Sequence, residues 1–436
     1  MNTTQSTALL TDHYELTMLQ ASLHSGTAHR KCFFEAFARR LPEGRRYGVV
    51  AGTGRLLEAL KNFTFGPAEI DNLRKNDVVN EETLEFLADY KFSGNIWGYQ
   101  EGELYFPNSP ILIVEGTFAE ACIIETLLLS IMNHDSAIAS AAARMVDWAD
   151  DRPCIEMGSR RTHEEAAVAS ARAAAIVGFA STSNLEAGRR YGIKTQGTSA
   201  HSFTLLHDSE EEAFKAQIES LGKDTTLLVD TYDVDKAVRT AVELAGPELG
   251  GVRLDSGDLA SQAKSVRKLL DSLGATKTRI VVTSDLDEYA IAGLAAAPVD
   301  GYGVGTQLVT GSGAPTASMV YKLVSHENSA GEQVAVAKAS KGKKTVGGRK
   351  YAFRELNEKG IATQEKIGVG HNPKADNNDR ELLVQLVKNG KVVDKYTDQA
   401  GVVEAQEHFK KVFTELPAKG HSLQKGEAVI PTVFEE

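Results

Sequence analysis

The chain has 436 residues, 42% of them apolar and 25% charged, with a net charge of −11. That length exceeds one ordinary core and suits two domains, and the composition is that of a soluble globular protein. The acidic balance argues against general nucleic-acid binding, so an anionic ligand must rely on local Arg and Lys. Taken in chain order, the first twenty residues carry Asp12 and Glu15 and lack a basic start with an apolar run, so no secretory signal is expected. A helix is predicted over 12–25, then strands over 31–37, 90–94 and 98–105. Residues 110–115 read as a strand and 118–150 as helix. The apolar run 121–132 is broken by Glu125 and is too short to span a bilayer, so no membrane partner is expected. Strands at 154–157, 178–183, 225–230, 251–255, 279–284 and 300–305 then alternate with helices at 162–176, 185–191, from 233, at 259–273 and at 287–295. Thr162 and Glu165 have capping-box spacing. The end of the chain shows strands at 319–324, 334–339 and 349–355 and a helix near 405–413. Cys32, Cys122 and Cys154 fit no zinc spacing and no disulfide framework, and read as buried, reduced thiols of a cytoplasmic protein.

The alternation implies an α/β fold with a parallel sheet, and six or seven such units fit closure into a barrel better than an open sheet. Residues 110–318 form the expected barrel domain. The flanks, 1–109 and 319–436, are expected to pair into one second domain. In a barrel, ligand residues gather at the C-terminal strand ends, and the small and polar residues of this chain fall there.

Gly197-Thr198-Ser199-Ala200-His201 is a loop of small residues that lets a phosphorylated ligand approach the backbone, and His201 can act as a nucleophile toward phosphorus. Its plainer reading is a structural histidine. Arg160 and Arg161 offer forks of donors matched to phosphate or carboxylate, or else pair with Glu164 and Glu165 on the surface. Arg253 and Asp255 share one strand face. Arg253 can take an anionic group while Asp255 and Asp258 hold a metal or sugar hydroxyls; alternatively Asp258 caps the next helix and Asp255 pairs with Arg253. Asp230 and Asp285 end two other strands, with the same choice between ligand and cap. Gly303-Val304-Gly305-Thr306 is a small-residue turn whose N–H groups suit a phosphate monoester. These parts suit a substrate with a phosphate at one end, a polyhydroxyl middle and a metal-bound leaving group.

Seven ordered segments then carry a resemblance: Thr11-Asp12-His13-Tyr14, Phe34-Glu35, Glu115-Gly116-Thr117, Gly158-Ser159-Arg160-Arg161, residues 197–203, residues 251–258 and Gly303-Val304-Gly305-Thr306. Over nearly its whole length the chain resembles the nicotinate phosphoribosyltransferases. The resemblance implies an irregular TIM-like α/β barrel, a second α+β domain built from the N- and C-terminal segments, and a homodimer with shared active sites. It implies transfer of phosphoribose from phosphoribosyl pyrophosphate to nicotinate, with Mg²⁺ and with ATP hydrolysed as co-substrate. Residue by residue, His201 resembles the histidine that ATP phosphorylates, and Tyr14 the aromatic that stacks on the pyridine ring from the partner subunit. Arg253 and Ser202 resemble residues near the nicotinate carboxylate. Arg160, Gly303, Gly305 and Thr306 look like phosphate contacts. Asp255 and Asp285 look like ribose or metal contacts, with Asp258 a second metal candidate, and Thr182 is placed among the substrate contacts. The basic segment 338–350 resembles the family's lysine-rich hairpin. Three alternatives remain: a nicotinamide-using relative, a quinolinate phosphoribosyltransferase, and an inactive barrel that binds sugar phosphates.

Overall fold

The structure is a computed structural model that describes residues 5–338 and 345–435. Residues 339–344 of the basic segment lie outside the described residues. The chain divides into two compact units, residues 1–140 with 314–436, and residues 141–313.

The first unit is the α+β domain, built from both ends of the chain. Its main sheet runs Gln333–Ala335, Met319–Glu327, Lys31–Ala38, Leu112–Thr117, Asn95–Tyr99, Leu383–Lys388 and Lys391–Val392, every neighbouring pair antiparallel. Lys31–Ala38 pairs on one side with a strand from the N-terminal half and on the other with Met319–Glu327, so the two chain segments share one ladder. Across that ladder the rings of Phe34 and Tyr321 stack with centroids 4.8 Å apart. A second sheet joins Arg380–Glu381, Lys350–Leu356, Ala362–Val369 and Thr432–Glu435. The division between units falls at 140/141 rather than at 109/110, because Leu112, Ile113 and Val114 are fully buried as the central strand of the antiparallel sheet. A strand buried on both faces has the same apolar run whether its neighbours are parallel or antiparallel. No strand forms over 90–94, and the one expected at 98–105 is replaced by Asn95–Tyr99 and Leu104–Tyr105. Three helices, Thr53–Lys61, Pro67–Lys75 and Glu81–Ala88, lie in a stretch for which no helix was predicted.

The second unit is the barrel-like one. Its strands are β1 (Cys154–Glu156), β2 (Ser181–Thr182), β3 (Thr226–Leu228), β4 (Gly251–Leu254), β5 (Arg279–Ser284) and β6 (Gly301–Val304), all parallel. They run β2-β1-β6-β5-β4-β3. That is chain order around a ring, with no ladder between β2 and β3 among the described residues. Next to the gap, a single parallel bridge sets Thr195 beside Thr182. The curled sheet therefore has six strands, one set for each predicted strand–helix repeat. The helices after the strands are α1 (Glu164–Ile176), α2 (Leu185–Tyr191), α3 (His201–Leu206), α4 (Glu210–Leu221), α5 (Val234–Ala245), α6 (Leu259–Ser272), α7 (Glu288–Gly293) and α8 (Thr306–Val309). Most open at a short polar side chain that accepts an otherwise orphaned N–H: Asn184 from Ala187, Asp233 from Lys236, Asp258 from Ser261 and Asp287 from Ala290. For α1 the cap is His163, accepting from Glu165 N, and not Thr162, so the predicted capping box does not form. In β4 and β5, Val252, Leu254, Ile280 and Val282 are fully buried, and alternation turns Arg253 and Asp255 to the opposite face.

Candidate active site

The C-terminal ends of the strands surround a cavity of about 480 Å³. Arg160, His201, Ser202, Arg253, Asp255, Asp285, Gly303, Gly305 and Thr306 all line it, together with Arg161. Arg253 lies in β4 and Gly303 in β6, and the others come from the loops after β1, β4, β5 and β6 and from the starts of α3 and α8, so residues as far apart in sequence as Arg160 and Thr306 converge on one space. His201 and Arg253 share this wall. Gly303 is required by close approach: a Cβ there lies 2.4 Å from Thr283 Cγ2 and 2.7 Å from Met157 Sδ.

His201 is the first residue of α3 and follows Ala200, which is extended. Its Nδ1 lies 3.1 Å from Thr231 Oγ1. Its Nε2 faces two carboxylates, Asp230 Oδ1 at 3.9 Å and Asp255 Oδ2 at 3.8 Å. Asp230 is nearly buried. Its Oδ2 accepts from Asp255 N and Ser256 Oγ, both at 2.8 Å, while Oδ1 is buried with no hydrogen-bond partner. Asp255 Oδ1 accepts from Thr283 Oγ1, which leaves Oδ2 turned toward the imidazole. The sequence weighed Asp230 only as a ligand or a cap; the strand-end position was the signal for it. Nothing in the sequence singled out Thr231 or Thr283.

Arg253 is held by the loop that carries His201. Its Nη1 donates to Thr198 Oγ1 and its Nη2 to Ser199 O, each at 2.9 Å. Burial lowers the guanidinium from its ordinary value, and Asp255 and Asp230 pull it back up. The expected pairing of Arg253 with Asp255 as a hydrogen-bonded couple is replaced by these loop contacts.

Two expected site residues stand outside the cavity lining, and Tyr14 is the residue expected from a partner subunit. Thr182 is fully buried, its hydroxyl donating to Glu156 and accepting from Asn184 N at 2.9 Å. It is a brace beneath the site and not a surface for substrate. Glu156 also accepts from Gly158 N, and Asn184 Nδ2 donates to Ser159 Oγ at 3.0 Å, so the loops after β1 and β2 are tied together. Burial raises the Glu156 carboxyl, and the Thr182 and Gly158 hydrogen bonds oppose that rise. Asp258 is exposed and uses its oxygens on Ser261 N and Ser261 Oγ, as the cap of α6. Tyr14 is in the first unit, on the helix His13–His24, and is 44% exposed. Burial and the Glu125 carboxylate push its phenol up to about 12. The neighbouring Glu15 is buried and accepts from Thr11 Oγ1, Thr126 N and Thr126 Oγ1, which pins that helix to the start of the helix Glu125–Ala149.

Among the described residues no group of three or more His, Cys, Asp or Glu is placed to hold a metal on its own. Asp255 and Asp285 are the carboxylates on the cavity wall, a donor set sparse enough to need ligand phosphates in addition. No helix among the described residues is long and apolar enough to cross a membrane.

Comparison with known proteins agrees over both units. Residues 9–133 match the nicotinate phosphoribosyltransferase (NAPRTase) N-terminal domain, and residues 153–359 match the nicotinate phosphoribosyltransferase (NAPRTase) family. The chain is 54% identical over 433 residues to the nicotinate phosphoribosyltransferase pncB1 of Mycobacterium tuberculosis, covering 97% of this chain and 94% of that protein. It is 41% identical over 365 residues to the nicotinate phosphoribosyltransferase of Bacillus subtilis, covering 81% and 74%. The crystal structure of human nicotinic acid phosphoribosyltransferase matches with a TM-score of 0.83 at 25% identity, over 98% of each chain.

Proposed function

The chain belongs to the nicotinate phosphoribosyltransferase family, and from that premise we propose how its cavity makes nicotinate mononucleotide and pyrophosphate, a step of NAD synthesis. The observation that carries the reading is the convergence of Arg253, Asp255, Arg160, Gly303, Gly305 and Thr306 with His201 on one cavity. Nicotinate binds with its carboxylate on Arg253 beside Ser202. A guanidinium rewards a carboxylate and not a neutral amide, which favours the acid over nicotinamide. The 5′-phosphate of phosphoribosyl pyrophosphate sits on Arg160 and the 303–306 turn. The pyridine nitrogen attacks C1, the C1–O bond breaks, and its electron pair leaves with pyrophosphate. Asp255 stabilises the positive charge that develops on the ribose. Asp255 and Asp285 fit a Mg²⁺ ion brought with the substrate, which supplies neutralisation of the leaving diphosphate.

ATP acts at His201. The carboxylates near Nε2 favour the tautomer with its proton on that nitrogen; Nδ1 then accepts from the Thr231 hydroxyl, which must turn away before the Nδ1 lone pair attacks the γ-phosphorus. The N–P bond forms as the P–O bond to ADP breaks. The added charge beside the diphosphate subsite couples ATP cleavage to substrate affinity. A second copy of the chain completes the site. Leu185, Leu205, Leu206 and Tyr232 stand 61–78% exposed around the strand ends, and Leu9, Leu10, Tyr14 and Met18 are exposed in the first unit. Apolar patches of this kind mark interfaces, and Tyr14 of a partner would then stack on the pyridine. The test is purified protein with nicotinate and phosphoribosyl pyrophosphate, with and without ATP, followed for nucleotide and acid-labile phosphoprotein. Nucleotide is expected from nicotinate in both conditions, faster with ATP, and far less from nicotinamide; no nucleotide from nicotinate refutes the reading.

A further inference from the structure

An arginine has five N–H donors arranged along two usable edges. In Arg253 the end-on edge is already taken, Nη1 by Thr198 Oγ1 and Nη2 by Ser199 O, each at 2.9 Å. Nε, on the side-on edge, is buried and has no partner. Arg253 lines the cavity that His201 lines and, together with Thr198, a second cavity. The guanidinium thus has Nη1 and Nη2 held by the 198–199 loop and Nε left as a buried donor without a partner. His201 lies two residues beyond Ser199, so the loop that fixes this plane also carries the imidazole.

We propose that Thr198 is a positioning residue for acid recognition: by holding Nη1 it fixes the plane of the Arg253 guanidinium so that the side-on edge meets the carboxylate of the base, and it links occupancy of that edge to the position of His201. The proposal rests on the function proposed above and names the residue that sets its acid selectivity. A bidentate contact is sensitive to the orientation of the fork, because both N–H···O angles degrade when it rotates about its bonds. Without Thr198 Oγ1 the fork is held only through Nη2, which allows that rotation. Since binding equilibria are reciprocal, an acid on Arg253 then alters the loop, and the loop alters affinity for the acid.

The test uses Thr198→Val, which keeps the branched shape and removes the acceptor, and Thr198→Ser, which restores it. Thr198 is exposed, so neither change opens a cavity. Wild type is assayed first for nucleotide formation; absence of turnover there refutes the proposed function and not this residue's role. In Thr198→Val the KM for nicotinate is expected to rise about tenfold, the worth of one hydrogen bond to a charged group. The KM for phosphoribosyl pyrophosphate is expected to stay within about twofold, and the preference for nicotinate over nicotinamide to fall by a similar factor to the KM change. Thr198→Ser restores all three. In wild type, nicotinate changes the yield of acid-labile phosphoprotein from ATP, and that response is lost in Thr198→Val. An unchanged KM for nicotinate in Thr198→Val, an equal rise in both KM values, or a Ser variant that behaves like Val overturns the proposal.

Discussion

Asp230→Asn changes one oxygen to an amide and isolates the charge that faces His201. Asp230 Oδ2 serves as acceptor for Asp255 N and Ser256 Oγ, and an asparagine oxygen keeps both roles. The other atom, 3.9 Å from His201 Nε2, becomes an N–H donor. Two effects then act in the same direction. The donor favours the tautomer with its proton on Nδ1, removing the nucleophilic lone pair. The lost charge also withdraws stabilisation from the cationic imidazole that the proposed phosphoryl transfer forms. A full charge at that distance is worth about 4 kcal/mol at an effective dielectric near 20. A half-developed charge gives about 2 kcal/mol, or roughly 30-fold in rate. The assay is the initial rate of acid-labile phosphate incorporation from γ-labelled ATP, with thermal unfolding as the control for folding. A folded Asp230→Asn protein that is phosphorylated within about threefold of the wild-type rate refutes the reasoning, because it leaves Asp230 as a loop brace alone.

Two further predictions concern residues beneath and beyond the cavity. Thr182→Val strands the buried Glu156 oxygen and Asn184 N, and is expected to cost about 1–3 kcal/mol in urea unfolding while raising the KM for phosphoribosyl pyrophosphate more than that for nicotinate, since it loosens the Arg160 loop; an unchanged midpoint contradicts the brace. Glu103→Gln tests the buried ion cluster of the first unit, in which Glu103 takes Arg380 at 2.6 Å and His408 at 2.9 Å. Burial acts to raise the Glu103 carboxyl, but Arg380, His408 and Arg354 outweigh it and hold the group well below the ordinary carboxylate range. Its folded value is therefore depressed, so its stabilisation is full above the unfolded value near 4.3 and is lost as pH falls through the folded one. The variant is expected to be about 3 kcal/mol less stable at pH 7, with the gap from wild type narrowing below about pH 4; a gap that widens on acidification contradicts the assignment.

The strand ends were legible in the sequence because a parallel strand buried on both faces is a short apolar run, and its end is where polar residues resume. That is why Arg160, His201, Arg253, Asp255 and the 303–306 turn were found together. The same signal misplaced Thr182: β2 is two residues long, and the acid that consumes the Thr182 hydroxyl, Glu156, lies inside a segment that reads as plain strand. Asp258 has the composition of a ligand and the position of a cap, and Ser261 three residues on was the sign that capping wins. The residues 112–117 were assigned to the barrel because a buried strand does not announce its neighbours. Its partners come from Lys31–Ala38, some eighty residues earlier, and from Asn95–Tyr99. The role of the Arg253 fork was out of reach altogether, since it depends on a side chain and a carbonyl 55 and 54 residues away.

The central claim is that two chemistries meet in one cavity, phosphoryl transfer to His201 and ribosyl transfer guided by Arg253 and Asp255. It is tested most directly by His201→Ala, measured for ATP hydrolysis and for nucleotide formation from nicotinate in the same preparation. The account predicts that ATP hydrolysis disappears while slow transfer of phosphoribose persists and no longer responds to ATP. A folded variant that has lost both reactions, or that still hydrolyses ATP at the wild-type rate, contradicts it.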